Sequence, residues 1–126
     1  MLGQLTHLFA QEPSIQLALV FGSAARGALK PESDVDVAVL AHHALSATEK
    51  HTLIEHIALS TGRAVDLIDL ATVGQPLLGQ IVRDAKRVKG SASQFAELMT
   101  RNALDEADFM PYVTRLLQTR RAAWIG

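Results

Sequence analysis

Residues 15–40 read IQLALVFGSAARGALKPESDVDVAVL, and the rest of the chain can be read outward from them. Leu17 to Phe21 is an unbroken apolar run ending at Gly22, the length and boundary of a buried strand. Gly22-Ser23-Ala24-Ala25-Arg26-Gly27 then predicts a tight turn carrying one helical turn, and Pro31-Glu32-Ser33 predicts loop. Val35, Val37 and Val39 alternate with Asp34, Asp36 and Ala38, a period of two that predicts a strand over 34–40.

The polar residues in this stretch have a spacing that suits phosphate chemistry. On a strand, Asp34 and Asp36 point to one face, roughly 6.5–7 Å apart along the chain. Carboxylates so placed can share hard divalent cations, as Mg²⁺ prefers oxygen ligands. Gly22 permits close backbone approach, and a helical turn opening at Ser23 offers N–H groups and a hydroxyl to an anion. Arg26, and beyond it Lys30, are candidates to reach phosphate oxygens; the alternative for both is a solvated loop charge.

A third carboxylate is expected from the strand over 64–70, where Val65-Asp66-Leu67-Ile68-Asp69-Leu70 sets two acids in an apolar run. A carboxylate in such a strand needs a reason. Asp66 and Asp69 have opposite parity, so only one can join Asp34 and Asp36. Parity favours Asp66. Asp69 is expected at the solvated strand end, or as a cap for the next helix. Three carboxylates on adjacent strands can hold two metal ions roughly 3.5–4 Å apart.

Helical spacing of Leu2, Leu5, Leu8 and Phe9 predicts a helix over 2–11, closed by Pro13. Ser46 with Glu49 is a capping box for a helix whose face is Leu53, Ile54, Ile57 and Ala58, ended by Gly62. Pro76 suits the first turn of another helix, with Leu77, Leu78, Ile81 and Val82 inward. Residues 87–89 read as a short edge strand. Ser91 or Ser93 caps a helix carrying Phe95, Leu98 and Met99. A last helix carries Phe109, Val113, Leu116 and Leu117, with Pro111 implying a start at Asp108 or a kink. Its apolar face, with Tyr112 and Trp124 nearby, is read most simply as core packing, and alternatively as a partner surface. The element order predicts an α+β, layered α/β fold, a small mixed sheet flanked by helices. One domain is expected over 1–126, with a catalytic core at about 15–90 and C-terminal helices at about 91–124.

Composition narrows the function. Twelve Lys and Arg against thirteen Asp and Glu leave a formal charge of −1, without the positive excess of a non-specific nucleic-acid binder. The local exception is Arg83, Lys86, Arg87 and Lys89 around Asp84. With no cysteine there is neither disulfide nor thiolate metal site, and a cytoplasmic setting is expected. No apolar run approaches the roughly 18 residues of a membrane span, and the N-terminus lacks the basic region of a secretory signal. His7, His42, His43, His51 and His56 lack the i, i+4 pairing of helical metal ligands and are read as non-catalytic.

Gly22-Ser23, ten further residues, then Asp34-Val35-Asp36 resembles the core motif of the DNA polymerase β-like nucleotidyltransferase superfamily. Arg26-Gly27 and the VDLIDL strand look most like its minimal nucleotidyltransferase (MNT) branch. The resemblance covers roughly residues 15–90. It implies the superfamily's palm-like fold and Mg²⁺-dependent transfer of AMP or another nucleotide from a triphosphate such as ATP, with two ions. It implies Asp34 and Asp36 as metal ligands, Asp66 as the third carboxylate, and Gly22, Ser23 and Arg26 on the nucleotide. Many MNT proteins are antitoxins paired with a HEPN-type toxin, so it also implies AMPylation of a tyrosine on such a partner. Two other readings stay open: a non-catalytic antitoxin acting by contact, and an aminoglycoside-like small-molecule transferase. The latter usually carries a further helical domain.

Overall fold

The computed structural model describes residues 1–125 as backbone and side chains through residue 121; the Trp124 side chain lies outside the described residues. Among the described residues nine elements follow in order: α1 (Leu2–Ala10), β1 (Ile15–Phe21), α2 (Gly22–Ala25), β2 (Val35–Ala41), α3 (Ala47–Thr61), β3 (Val65–Asp69), α4 (Leu77–Asp84), β4 (Lys86–Lys89) and α5 (Ala92–Ile125). They build the expected mixed sheet flanked by helices. Its strand order is β3-β2-β1-β4, with β1 antiparallel to β2 and β4, and β2 parallel to β3.

Strand parity sorts the core into two layers. Ala18, Val20, Val35, Val37, Val39 and Leu67 pack with Leu5 and Phe9 of α1 and Leu53 and Ile57 of α3. Leu17, Leu19 and Ala38 face the other way, onto Leu78 and Ile81 of α4 and Leu98 of α5. Both sheet faces are therefore buried, which is why β1 and β2 read as near-continuous apolar runs. The Ser46–Glu49 capping box forms reciprocally, and Gly62 ends α3 in the left-handed conformation at φ 69°. These hydrogen bonds, from Ser46 first and then His43, hold the Glu49 carboxyl below its ordinary range.

Three expectations change. β2 opens at Val35, so Asp34 stands just ahead of the strand. Residues 92–125 form one continuous helix with Pro111 inside it, rather than two. Ser91, not Ser93, caps it: the Ser91 hydroxyl accepts from the Gln94 N–H, and the Ser91 N–H donates to the Gln94 side chain. Proline removes the amide that would bond the carbonyl of residue 107, an exposed position that water can satisfy. Third, the apolar face of residues 109–117 does not close the core. Leu116 and Leu117 are 41% and 61% exposed, and Met99, Met110 and Tyr112 are also exposed. The helix is anchored by its first half: Arg101 donates to the carbonyls of Leu70 and Val73, and Gln75 donates to Asn102 at 2.6 Å.

Candidate active site

The parallel register of β2 and β3 pairs Asp36 with Asp66, and Phe21 lies opposite Asp36 on β1. Both aspartates sit on the α4/α5 face, at the end of the sheet where β1 leaves and β2 and β3 enter. Asp34 comes two residues before Asp36, just ahead of β2. Asp34 and Asp66 are exposed, whereas Asp36 is half-buried. Burial, then the charge of Asp66, then that of Asp34 push the Asp36 carboxyl above its ordinary range, with Arg26 opposing. Among the described residues, no backbone amide donates to the carboxylates of Asp34, Asp36 or Asp66, whereas Asp69 accepts two such bonds. Among the described residues, however, no three acidic or histidine side chains are drawn together as a ready metal cage.

The donor set nevertheless fits a hard divalent cation. It is all carboxylate oxygen, it is crowded with like charge, and its most buried member already bears a raised proton affinity that a cation would relieve. Asp34, Asp36 and Asp66 would hold such an ion, with substrate oxygens or water completing its shell.

Gly22 follows β1 at φ 66°, a conformation that side chains rarely adopt. A Cβ there would lie 2.4 Å from Oδ2 of Asp36. The close approach expected of this glycine is thus made first to a carboxylate of the chain itself. Gly22 and Ser23 open the four-residue α2, and Arg26 caps its far end. Arg26 is an exposed side chain, but it is tethered: Nη1 donates to Oδ2 of Asp84 at 3.1 Å, at the end of α4. Lys30 is exposed in the loop, its backbone N–H donating to the Ser33 hydroxyl at 3.0 Å.

Asp69 corrects the expectation of a solvated strand end. It is only 9% exposed, on the opposite face from Asp66, and accepts from the N–H groups of Leu45 at 2.8 Å and Ala71 at 2.9 Å. Parity placed it away from Asp36; the loop before α3 then folded over it. It caps the turn after β3 and not α4.

Arg63 was not anticipated. Its Nη1 donates to the carbonyls of Lys30 at 2.6 Å and Ser33 at 3.1 Å, pinning the loop that delivers Asp34. The only sequence hint was a charge beside the helix terminator Gly62. Nor was Asp84 singled out as a partner for Arg26, although it is the one acid within the basic segment 83–89. The histidines stay outside the site: His42 meets Gln16, His43 meets Glu49, and His56 meets Glu12.

Known proteins resemble this chain in sequence and in fold. Protein adenylyltransferase MntA of Shewanella oneidensis is 34% identical over 79 residues, 63% of this chain and 57% of that protein. The match thus spans little more than half the length of the curated relative. A toxin–antitoxin structure with AMP-PNP superimposes with a TM-score of 0.74 at 24% identity, over 92% of this chain and 98% of that one. A structure of the tri-AMPylated Shewanella oneidensis HEPN toxin in complex with MNT antitoxin gives a TM-score of 0.66 at 23% identity, over 93% and 99%. At these identities the structural likeness establishes the fold. The family model described as polymerase beta, nucleotidyltransferase matches residues 3–94, and the chain belongs to that family.

Proposed function

We propose that the chain is a Mg²⁺-dependent adenylyltransferase that moves AMP from ATP onto a hydroxyl of a partner protein, a HEPN-type toxin, and so acts as its antitoxin. The observation that carries the catalytic part is the cross-strand pair Asp36–Asp66, with Asp34 beside it and the Gly22-Ser23 turn against Asp36. The MntA name of the relative and the toxin complexes of the structural neighbours support the partner and the nucleotide.

In this reading, the acceptor oxygen bonds to the α-phosphorus as the bond from that phosphorus to the β-bridging oxygen breaks. Diphosphate leaves and the acceptor proton passes to solvent or a nearby carboxylate. Asp34, Asp36 and Asp66 would hold two Mg²⁺ ions, which when bound neutralise phosphate charge and acidify the acceptor hydroxyl. Gly22 and Ser23 offer backbone N–H groups and a hydroxyl to the β- and γ-phosphates. Arg26 offers a guanidinium fork to the same oxygens. Arg63 keeps the Asp34 loop in place. The exposed far half of α5, with Met110, Tyr112, Leu116 and Leu117, is the surface offered to the partner. No described helix is long and apolar enough to cross a membrane; the setting we propose is the cytoplasm, where ATP and such a partner meet.

The test is co-expression with the neighbouring gene product and intact mass measurement of that product. Added AMP masses that vanish with Asp36→Asn are expected. An unmodified neighbour that is still inhibited would move the function to a contact antitoxin. AMP transfer to an aminoglycoside alone would move it to small-molecule modification.

A further inference from the structure

We infer that Asp84 is a positioning residue for Arg26, holding the guanidinium beside the carboxylate cluster so that its remaining donors face an incoming triphosphate. The inference rests on the nucleotidyl-transfer reading above and assigns a role to a residue outside the motif.

Asp84 is the last residue of α4, where the helix dipole disfavours an acid. Its carboxylate accepts from Arg26 Nη1 at 3.1 Å, and that is its one side-chain partner among the described residues. Arg26 terminates α2, the turn that begins at Gly22 against Asp36. One ion pair therefore joins the end of α4 to the end of the phosphate-binding turn. The pair is half exposed on both sides, at 56% and 45%, so it adds little to stability. It instead restrains a long, flexible side chain. Guanidinium carries five N–H donors, and Asp84 engages one. No other protein acceptor meets the Arg26 side chain among the described residues, so the rest of the fork is left for a ligand. The neighbouring Arg83, Lys86 and Arg87 are exposed, so the local field stays favourable to phosphate despite the Asp84 charge.

A tether of this kind removes the ordering of one arginine from the cost of nucleotide binding, an effect of about three- to tenfold in affinity. The experiment measures binding of α,β-methylene ATP with Mg²⁺, which needs no acceptor and no turnover. Asp84→Ala is expected to raise the dissociation constant about three- to tenfold with an unchanged melting temperature. Asp84→Glu should recover most of the loss. In an Arg26→Ala background, Asp84→Ala should change nothing, because its effect passes through the guanidinium. Unchanged or tighter binding in Asp84→Ala overturns the inference, since Asp84 would then be idle or a competitor of the phosphates. An equal loss in both backgrounds also overturns it. Absence of binding to the wild-type protein would overturn the nucleotidyl-transfer reading itself, a result distinct from either.

Discussion

The two ends of β3 carry the same side chain in opposite circumstances. At its start, Asp66 stands exposed beside Asp36, whose carboxyl its charge helps push above the ordinary range. At its end, three residues on, Asp69 is buried and accepts two backbone N–H bonds. The buried acid is the well-solvated one in the thermodynamic sense: the fold supplies the donors that water would have supplied. The more exposed acids are the ones left in conflict. Burial alone therefore does not pick out the carboxylate proposed to hold metal. What separates the two ends is whether the protein itself completes each acid's hydrogen bonding, and only the start of the strand is left for something else to complete.

The sharpest test of this contrast exchanges charge for amide at each end. Asp36→Asn should lower AMP transfer by about a thousandfold or more, the loss of several kcal/mol of metal-borne stabilisation, with the fold intact. A folded Asp36→Asn protein transferring at the wild-type rate would remove the distinction. Asp69→Ala should do the reverse. It leaves the Leu45 and Ala71 amides without their acceptor and should cost about 2 kcal/mol in urea unfolding. Nucleotide affinity should persist where the variant is folded. If the two substitutions gave the same pattern, the ends of β3 would not differ in kind.

Gly22 refines the comparison from the turn side. Gly22 and Gly27 have nearly equal φ, 66° and 67°, yet a Cβ at Gly22 meets the Asp36 carboxylate at 2.4 Å while one at Gly27 meets nothing within 4 Å. Alanine at either position incurs about 1–2 kcal/mol of backbone strain. Only Gly22→Ala should also displace Asp36 and depress transfer beyond its stability loss. Paired melting and transfer assays separate the two effects, and equal activities in the two variants would show that the contact with Asp36 is incidental.

Much of this was legible in the sequence because it depends on periodicity and punctuation. The alternation of Val35, Val37 and Val39 and the Ser46–Glu49 box are local signals, and the structure keeps both. Parity told Asp66 from Asp69, but not what each would touch, because the amide of Leu45 comes from a loop 24 residues away. Arg63 and Asp84 were silent for the same reason: the partners of Arg63 lie 33 and 30 residues away and that of Asp84 58 residues away, and nothing in local spacing announces a long-range hydrogen bond. The long α5 was misread because proline normally marks a boundary, and because an apolar stripe says that a face will be covered without saying by which molecule.

The smallest expected effect concerns pH. Asp36 has a raised folded-state pKa, so between its ordinary value and the raised one the folded protein binds more protons than the unfolded chain. Stability then falls as pH rises through that window, and the penalty is fully present above it. This is the opposite sign from a paired aspartate, whose contribution is lost as pH falls. Without metal, Asp36→Asn removes the penalty and should melt higher than wild type at neutral pH. The gap should close as pH drops below the ordinary aspartate value, where Asp36 is protonated in both states. Added Mg²⁺ should stabilise wild type more than the variant, because the ion relieves a repulsion that the amide no longer has. Melting curves across pH, with and without Mg²⁺, read all three. A variant that melts lower than wild type at neutral pH without metal would mean that Asp36 supports the fold as Asp69 does.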